Sequence, residues 1–499
     1  MTPMRALDAA FLAMERPSEL RHIGSVSVFG AVASGPLTYE VVRALVEERL
    51  DLIASAQRVV VDAPLGLGRP SWGAVDGFDL EFHVRHDTVA PPGGPATLAD
   101  LVARIHALPL DRTRPLWELW VIDGLADGRV ALYAKMHIAA IDDVTGAEVM
   151  TALLDPDPEG VRKLRPPPTV PPSGAMGRLF GSTADQLRQA AGFPRRLASR
   201  AVHELGGQLN GLGETIGETV RRTPGLDPVA RLLPAPADGD ALGARAVGRA
   251  PRVSWNAPVT PHRRFAMTRL PLERIVEVKR EAGTTVNDVV VAVCAGALRH
   301  WLHAHDELPT SPLVALVPML VGGRDRNDAH VAGLVVPMAT NVAGPGERLR
   351  RTSDALRTAQ QRRAAVPASL MQDVSMFAPP ALCALAGRVV SALPYQGVVS
   401  PTVNLAITNV PGSRQPLHVA GRPLEASYPV LTINQLSPLH IGLQSCGDSI
   451  GVGAVACRDT IEDLAGLVDR MPVELELLAE ATLPRPPTGA ATTRRRRSS

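Results

Sequence analysis

From Arg129 to Ile138 apolar and polar positions alternate one by one, the period of a β-strand. The alternation sets Val130, Leu132, Ala134, Met136 and Ile138 on one face and Ala131, Tyr133, Lys135 and His137 on the other. Strand-like and helix-like runs of this kind fill residues 1 to 155 and then stop. Asp155-Pro-Asp-Pro is followed by Arg165-Pro-Pro-Pro-Thr-Val-Pro-Pro172. Proline has no N–H to give a ladder, so this stretch predicts a linker. From Met176 to about Arg222 apolar residues return at helical spacing, with Leu179, Leu187, Leu197, Val202, Leu205, Leu209, Ile216 and Val220 set among arginines and glycines. Periodicity is lost again from Pro224 to Pro261. A β/α pattern resumes at Phe265, includes an apolar helix from Val286 to Leu302, and runs to about Ala481.

The pattern predicts an α/β protein of two lobes, residues 1–155 and 263–481, joined by a linker of residues 156–262 with a helical segment. A disordered tail, 482–499, ends in Arg494 to Arg497. A chain of 499 residues is long for a single core, in agreement with two domains. Hydrophobic content of 45%, charge of 20% and a net charge of +2 exclude both a disordered chain and a strongly basic nucleic-acid binder. Aromatics at 3% leave few stacking platforms for single-stranded nucleic acid. Cys294, Cys383, Cys446 and Cys457 are far apart with no C-x-x-C pair, so buried reduced thiols are expected. The first residues, Met1 to Phe11, lack an apolar h-region, and a cytoplasmic protein is expected. Residues 176–222 admit two readings: an amphipathic element on an anionic membrane surface or lipid inclusion, or a packed helical bridge between lobes.

Several chemistries lack their marks. There is no G-x-x-x-x-G-K-[ST] loop, no H-E-x-x-H pair and no G-x-S-x-G elbow. Gly451-Val-Gly453-Ala-Val-Ala456 matches a dinucleotide fingerprint in letters, but Cys457-Arg458-Asp459 follows where a phosphate-capping helix should start, so it reads as a strand of small residues. His300, His303 and His305 do not share one helical face, and no metal site is expected there.

Residues 135–146 read Lys-Met-His-Ile-Ala-Ala-Ile-Asp-Asp-Val-Thr-Gly. This is similar to the acyl-transfer motif His-His-x-x-x-Asp-Gly, with Ile138 at the second His and Asp143 at the Gly. Upstream stand Leu7-Asp-Ala-Ala-Phe-Leu12, Glu15, His22-Ile-Gly24 and Pro115-Leu116-Trp117-Glu118; downstream stand Val286-Asn287-Asp288-Val289 and Thr408-Asn409-Val-Pro-Gly412. In this order, from residue 4 to about 470, the chain resembles the bacterial wax ester synthase/diacylglycerol acyltransferases. The resemblance implies two chloramphenicol-acetyltransferase-like lobes with a channel between them. Acyl-CoA is then a substrate, no cofactor is needed, and the acceptor is diacylglycerol or a long-chain alcohol. Pro115, Leu116, Trp117, Asn287, Asp288 and Asn409 are implied to bind substrate.

In the family the second His is the general base, a task suited to imidazole at neutral pH. Ile138 offers no proton acceptor. His137 is a candidate catalytic residue or a satisfied structural imidazole, and strand alternation turns it away from the face of Ile138. Asp142 is implied to hold the loop through an ion pair with an arginine. Asp143 is either a surrogate base or a turn residue tolerating a left-handed backbone. Asn287 is either an oxyanion donor or a helix cap. The expected function is an O-acyltransferase making triacylglycerol or wax esters, with reduced activity. The alternative is a catalytically silent paralogue that binds acyl-CoA or neutral lipid as a regulator or assembly partner. A condensation-type enzyme using carrier-protein thioesters fits the residues around Trp117 and Asn409 less well.

Overall fold

The computed structural model describes residues 1–31, 35, 37–63, 69–141, 148–159, 250–321, 330–364, 401, 403–410 and 412–483. Most of the predicted linker, with its helical segment, and the Arg-rich tail lie outside them, as do Cys383, Asp142 and Asp143.

The first half carries β1 (Thr2–Pro3), β2 (His22–Phe29), β3 (Arg58–Val61), β4 (Ser71–Ala74), β5 (Val84–Thr88), β6 (Trp117–Asp123) and β7 (Val130–His137). β1, β4 and β3 form a small sheet, and β2, β7, β6 and β5 form the body of a larger one. Helices α1 (Ala6–Met14), α2 (Tyr39–Arg49), α3 (Leu80–His83), α4 (Pro95–His106) and α5 (Glu148–Leu153) accompany them. α2 starts where the Thr38 hydroxyl accepts the N–H of Val41, and it buries Val42, Val46 and Arg49 on one stripe.

The second half carries β8 (Arg263–Pro271), β9 (Val314–Val321), β10 (His330–Pro337), β11 (Leu405–Val410), β12 (His418–Val419), β13 (Arg422–Val430), β14 (Leu439–Cys446) and β15 (Ser449–Cys457). Its helices are α6 (Leu272–Ala282), α7 (Val286–Ala304), α8 (Pro345–Ala364) and α9 (Leu464–Thr482). The second sheet runs β10-β9-β11-β14-β15-β8, with β11 parallel to both neighbours. α7 is apolar nearly all round and is buried on nearly all sides. Among the described residues no single helix is long and apolar enough to cross a membrane.

Two sequence-derived boundaries shift. β12 and β13 leave the second lobe and complete the first sheet as β12-β13-β2-β7-β6-β5, with Ser427 opposite Ser27 and Val430 opposite Gly24. The end of the predicted linker belongs to the second lobe, because Trp255 is fully buried there and its indole donates to the Asn404 carbonyl. Asp155 closes the first lobe: it is buried and takes both guanidinium nitrogens of Arg49, at 2.8 and 3.0 Å.

β13 also explains the Gly-x-Gly run. Gly451 and Gly453 lie within β15, and a Cβ at either would collide with the carbonyl of Ser427 or Pro429. The small residues let one strand cross closely over another. β7 has the two faces its alternation predicts. Val130, Leu132, Ala134 and Met136 pack with Val42, Val46, Leu119 and Val121. Ala131 and Tyr133 face Leu98, Val102 and Ile105 of α4 and, from the second half, Phe265, Tyr428 and Val455. This second face looks toward the junction of the lobes.

Candidate active site

The junction face of β7 becomes polar toward its end. Lys135 and His137 point there, opposite Gly24 and His22 of β2. Lys135 is fully buried, and its ammonium donates to the carbonyls of Ile105 and Leu108 at 3.0 and 2.7 Å, 3.5 Å from a Glu118 oxygen. It therefore caps the C-terminus of α4, where carbonyls lack helical partners and the dipole favours a cation. Burial, opposed by Glu118, lowers its pKa to about 8.

Three imidazoles gather around it. His22 lies 6.1 Å from His137 and 6.3 Å from His106, centroid to centroid. His106 shares a 2.7 Å hydrogen bond between Nδ1 and the Tyr133 hydroxyl, and burial, with Lys135 and Arg263, pushes its pKa down to about 3. His137 is lowered to about 4, chiefly by burial, and His22 well below its usual value for the same reason. All three are neutral at physiological pH. Glu15 faces His22 and His137 at 3.4 and 3.6 Å and is held by Arg112 at 2.6 Å.

A segment of the second half reaches the same place. Beyond the end of β13, the Thr432 hydroxyl donates to the Leu20 carbonyl at 2.6 Å, and the Thr432 carbonyl receives Nδ1–H of His440 at 2.9 Å. His440 Nε2 lies 2.7 Å from the Thr408 hydroxyl. Among the described residues no group of three His, Cys, Asp or Glu side chains is arranged to hold a metal.

Residues 4–290 match the wax ester synthase/diacylglycerol acyltransferase catalytic domain, and residues 329–479 match the C-terminal domain of the same proteins. Two Mycobacterium tuberculosis proteins named as candidate diacylglycerol O-acyltransferases are each 32% identical to the chain. The alignments cover 97% and 96% of it and 91% and 99% of those proteins. The chain belongs to the wax ester synthase/diacylglycerol acyltransferase family. The wax ester synthase/diacylglycerol acyltransferase of Marinobacter aquaeolei superposes with a TM-score of 0.67 at 27% identity, over 97% of this chain and 100% of that one. The first condensation domain of the calcium-dependent antibiotic synthetase shares the fold, with a TM-score of 0.51 at 17% identity over 97% of both chains.

In this wax ester synthase/diacylglycerol acyltransferase relative the motif segment takes a definite shape. β7 ends at His137, and Ile138 opens a 3₁₀ turn of Ile138–Ala140, so Ile138 is not a strand residue as the alternation suggests. The turn is fixed by the Ile138 N–H donating to the Arg21 carbonyl at 2.8 Å and by His137 Nδ1 accepting the Ala139 N–H at 3.1 Å. An amide N–H only donates, so the lone pair of neutral His137 is spent on the turn and its proton sits on Nε2. His137 thus caps the turn through Nδ1, as the structural-imidazole alternative expects. Ile138 itself is half-buried. Arg5 reaches the carbonyl of Ile141, the last described residue before Asp142 and Asp143.

Other expected site residues serve as supports. Leu116 packs under the turn with Met4, Leu12 and Ala139, and its carbonyl accepts the His137 N–H. The Trp117 indole donates to the Ala56 carbonyl, stacks on His83 at 4.6 Å and is buried; Pro115 is buried beside it. Both are packed into the floor beneath the turn. Thr285, and not Asn287, caps α7, because its hydroxyl takes the Asp288 N–H at 3.1 Å while Asp288 returns the bond at 2.9 Å and also accepts from Ser353. Asp288 is thereby committed to the capping box, and Asn287 stands half-buried one position along. Asn409 is half-buried on β11 beside Thr408. Sequence reasoning missed Lys135, His22, His106 and the Thr408, Thr432 and His440 set. For His22, Lys135, Thr408 and His440 the one linear signal is a polar residue inside a strand; His106 ends a helix and Thr432 follows a strand.

Proposed function

We propose that this chain transfers a long-chain acyl group from acyl-CoA to the hydroxyl of diacylglycerol or of a long-chain alcohol, giving triacylglycerol or a wax ester with free CoA. The observation that carries the reading is a family match spanning both lobes, together with a junction built from buried, neutral imidazoles. A thioester needs no strong acid to leave as thiolate; the alcohol needs a proton acceptor and a dry place beside the carbonyl. The relatives' names supply the acceptor class, and burial of the interlobe face supplies shelter from water. Ile138, where the family carries its base, sets the rate below that of a fully equipped member.

Ile138 is also the specific observation that favours a second reading, in which the chain binds acyl-CoA or neutral lipid without turning it over. Labelled palmitoyl-CoA offered with dioleoylglycerol and with hexadecanol separates the two. Ester formed by the purified wild type supports the enzyme. An inert wild type whose Ile138→His variant forms ester supports the lipid-binding relative. Failure of both proteins with both acceptors would end the acyl-transfer reading.

A further inference from the structure

Each imidazole at the junction can be asked where its lone pair goes. That of His137 is taken by the Ala139 N–H, and Nδ1 of His106 is engaged with the Tyr133 hydroxyl. His22 is sealed at 1% exposure, with a Glu15 oxygen 3.4 Å from Nε2. His440 differs from all three. Its Nδ1 faces the Thr432 carbonyl, which only accepts, so the proton is fixed on Nδ1 and the Nε2 lone pair points at the Thr408 hydroxyl. Both residues are half-buried. A hydroxyl, an imidazole and an orienting carbonyl in series form the arrangement that moves a proton off oxygen.

Its place in the molecule matches the task. Thr432 is tied through its hydroxyl to Leu20, and the next carbonyl, that of Arg21, receives the Ile138 N–H. Two hydrogen bonds and one peptide unit therefore join Thr432, which orients His440, to the position where relatives hold their base.

Resting on the acyl-transfer reading above, we propose that Thr408 and His440 form the proton relay of this enzyme in place of a base at position 138. The acceptor hydroxyl gives its proton to Thr408 Oγ1 while the hydrogen of Thr408 passes to His440 Nε2. The acceptor oxygen bonds to the thioester carbonyl carbon. The tetrahedral intermediate then breaks its C–S bond, and the proton on His440 returns through Thr408 to the thiolate, releasing ester and CoA. The Thr432 carbonyl steadies the imidazolium in between. Burial, opposed by the Thr432 carbonyl, lowers His440 to about 4, and no charged side chain contributes to the shift, so the relay is loaded with a neutral imidazole at neutral pH.

The test compares wild type, His440→Gln, Thr408→Ala, Thr408→Ser and Ile138→His, the last also in the His440→Gln background, in palmitoyl-CoA transfer to dioleoylglycerol. Folding is checked by thermal denaturation. His440→Gln and Thr408→Ala are expected to lower kcat by about 10²- to 10⁴-fold, with Thr408→Ser restoring most of it. The pH profile supplies a readout that a structural role would not move. Wild-type kcat is expected to stay level down to about pH 5.5, whereas Ile138→His in the His440→Gln background regains activity with an acid limb near the ordinary imidazole value of about 6.5. Should His440→Gln fail to fold, the Thr408 pair decides. Wild-type rates within about threefold in both His440→Gln and Thr408→Ala would overturn the relay. That outcome leaves the acyl-transfer reading standing; an inert wild type, whether or not Ile138→His is active, would take down the relay and that reading together.

Discussion

At the scale of single residues, His137 is held by what its ring nitrogen does. The bond from Ala139 N–H closes the turn that presents Ile138, and both groups are buried. His137→Ala is expected to leave that N–H unpaired at a cost of about 1–3 kcal/mol, read as a lower urea midpoint. His137→Asn, with a shorter acceptor on the same side, is expected to recover part of the loss. The strand and its two faces were legible in the sequence because alternation is local. The capping use of His137 was not, because it depends on a turn that starts one residue before alternation predicts. His440 was illegible for another reason: within Leu439-His440-Ile441 a lone His reads as core, and its partners Thr408 and Thr432 are 32 and 8 residues away.

At the scale of elements, α4 ends where Lys135 of β7 meets its last carbonyls. No linear pattern announces this cap, since helix and strand are separated by β6 in the chain. Lys135→Met is expected to cost about 3 kcal/mol, because Glu118 remains buried without its ammonium. The pH dependence has a definite sign. The folded pKa of about 8 lies below the ordinary 10.5, so the folded state sheds this proton first. Wild-type stability therefore gains on Lys135→Met as pH rises from about 8 to about 10.5, by at most about 1.4 kcal/mol per pH unit. Urea unfolding of both proteins at a series of pH values checks it. Thr432→Val deletes one hydroxyl and leaves the carbonyl that orients His440. It is expected to destabilise by about 1 kcal/mol and to lower kcat by loosening Leu20 and Arg21 beneath Ile138.

At the scale of the whole molecule, the four lowered histidines, His22, His106, His137 and His440, act together. Each has a folded pKa below its ordinary 6.5, so each contributes stability above about pH 6.5 that is lost as pH falls toward the folded values. The urea midpoint is expected to drop steeply between about pH 6.5 and 4.5, and His106→Phe is expected to flatten the fall. Two lobes were legible from length, periodicity and the proline run. Their interlacing was not, because β13 pairs with β2 across about 400 residues and nothing local marks the partner. Residues 1–159 expressed alone are expected not to fold, lacking β12 and β13; co-expressed with 250–483 they are expected to co-purify as one folded complex, read by circular dichroism.

That shared strand limits how anything reaches the junction. Arg422–Val430 is hydrogen-bonded into one sheet and pressed against Gly451 and Gly453 of the other, so the halves cannot part as jaws without tearing backbone bonds. Any opening at the junction must therefore bend around this strand, with both sheets still joined through it.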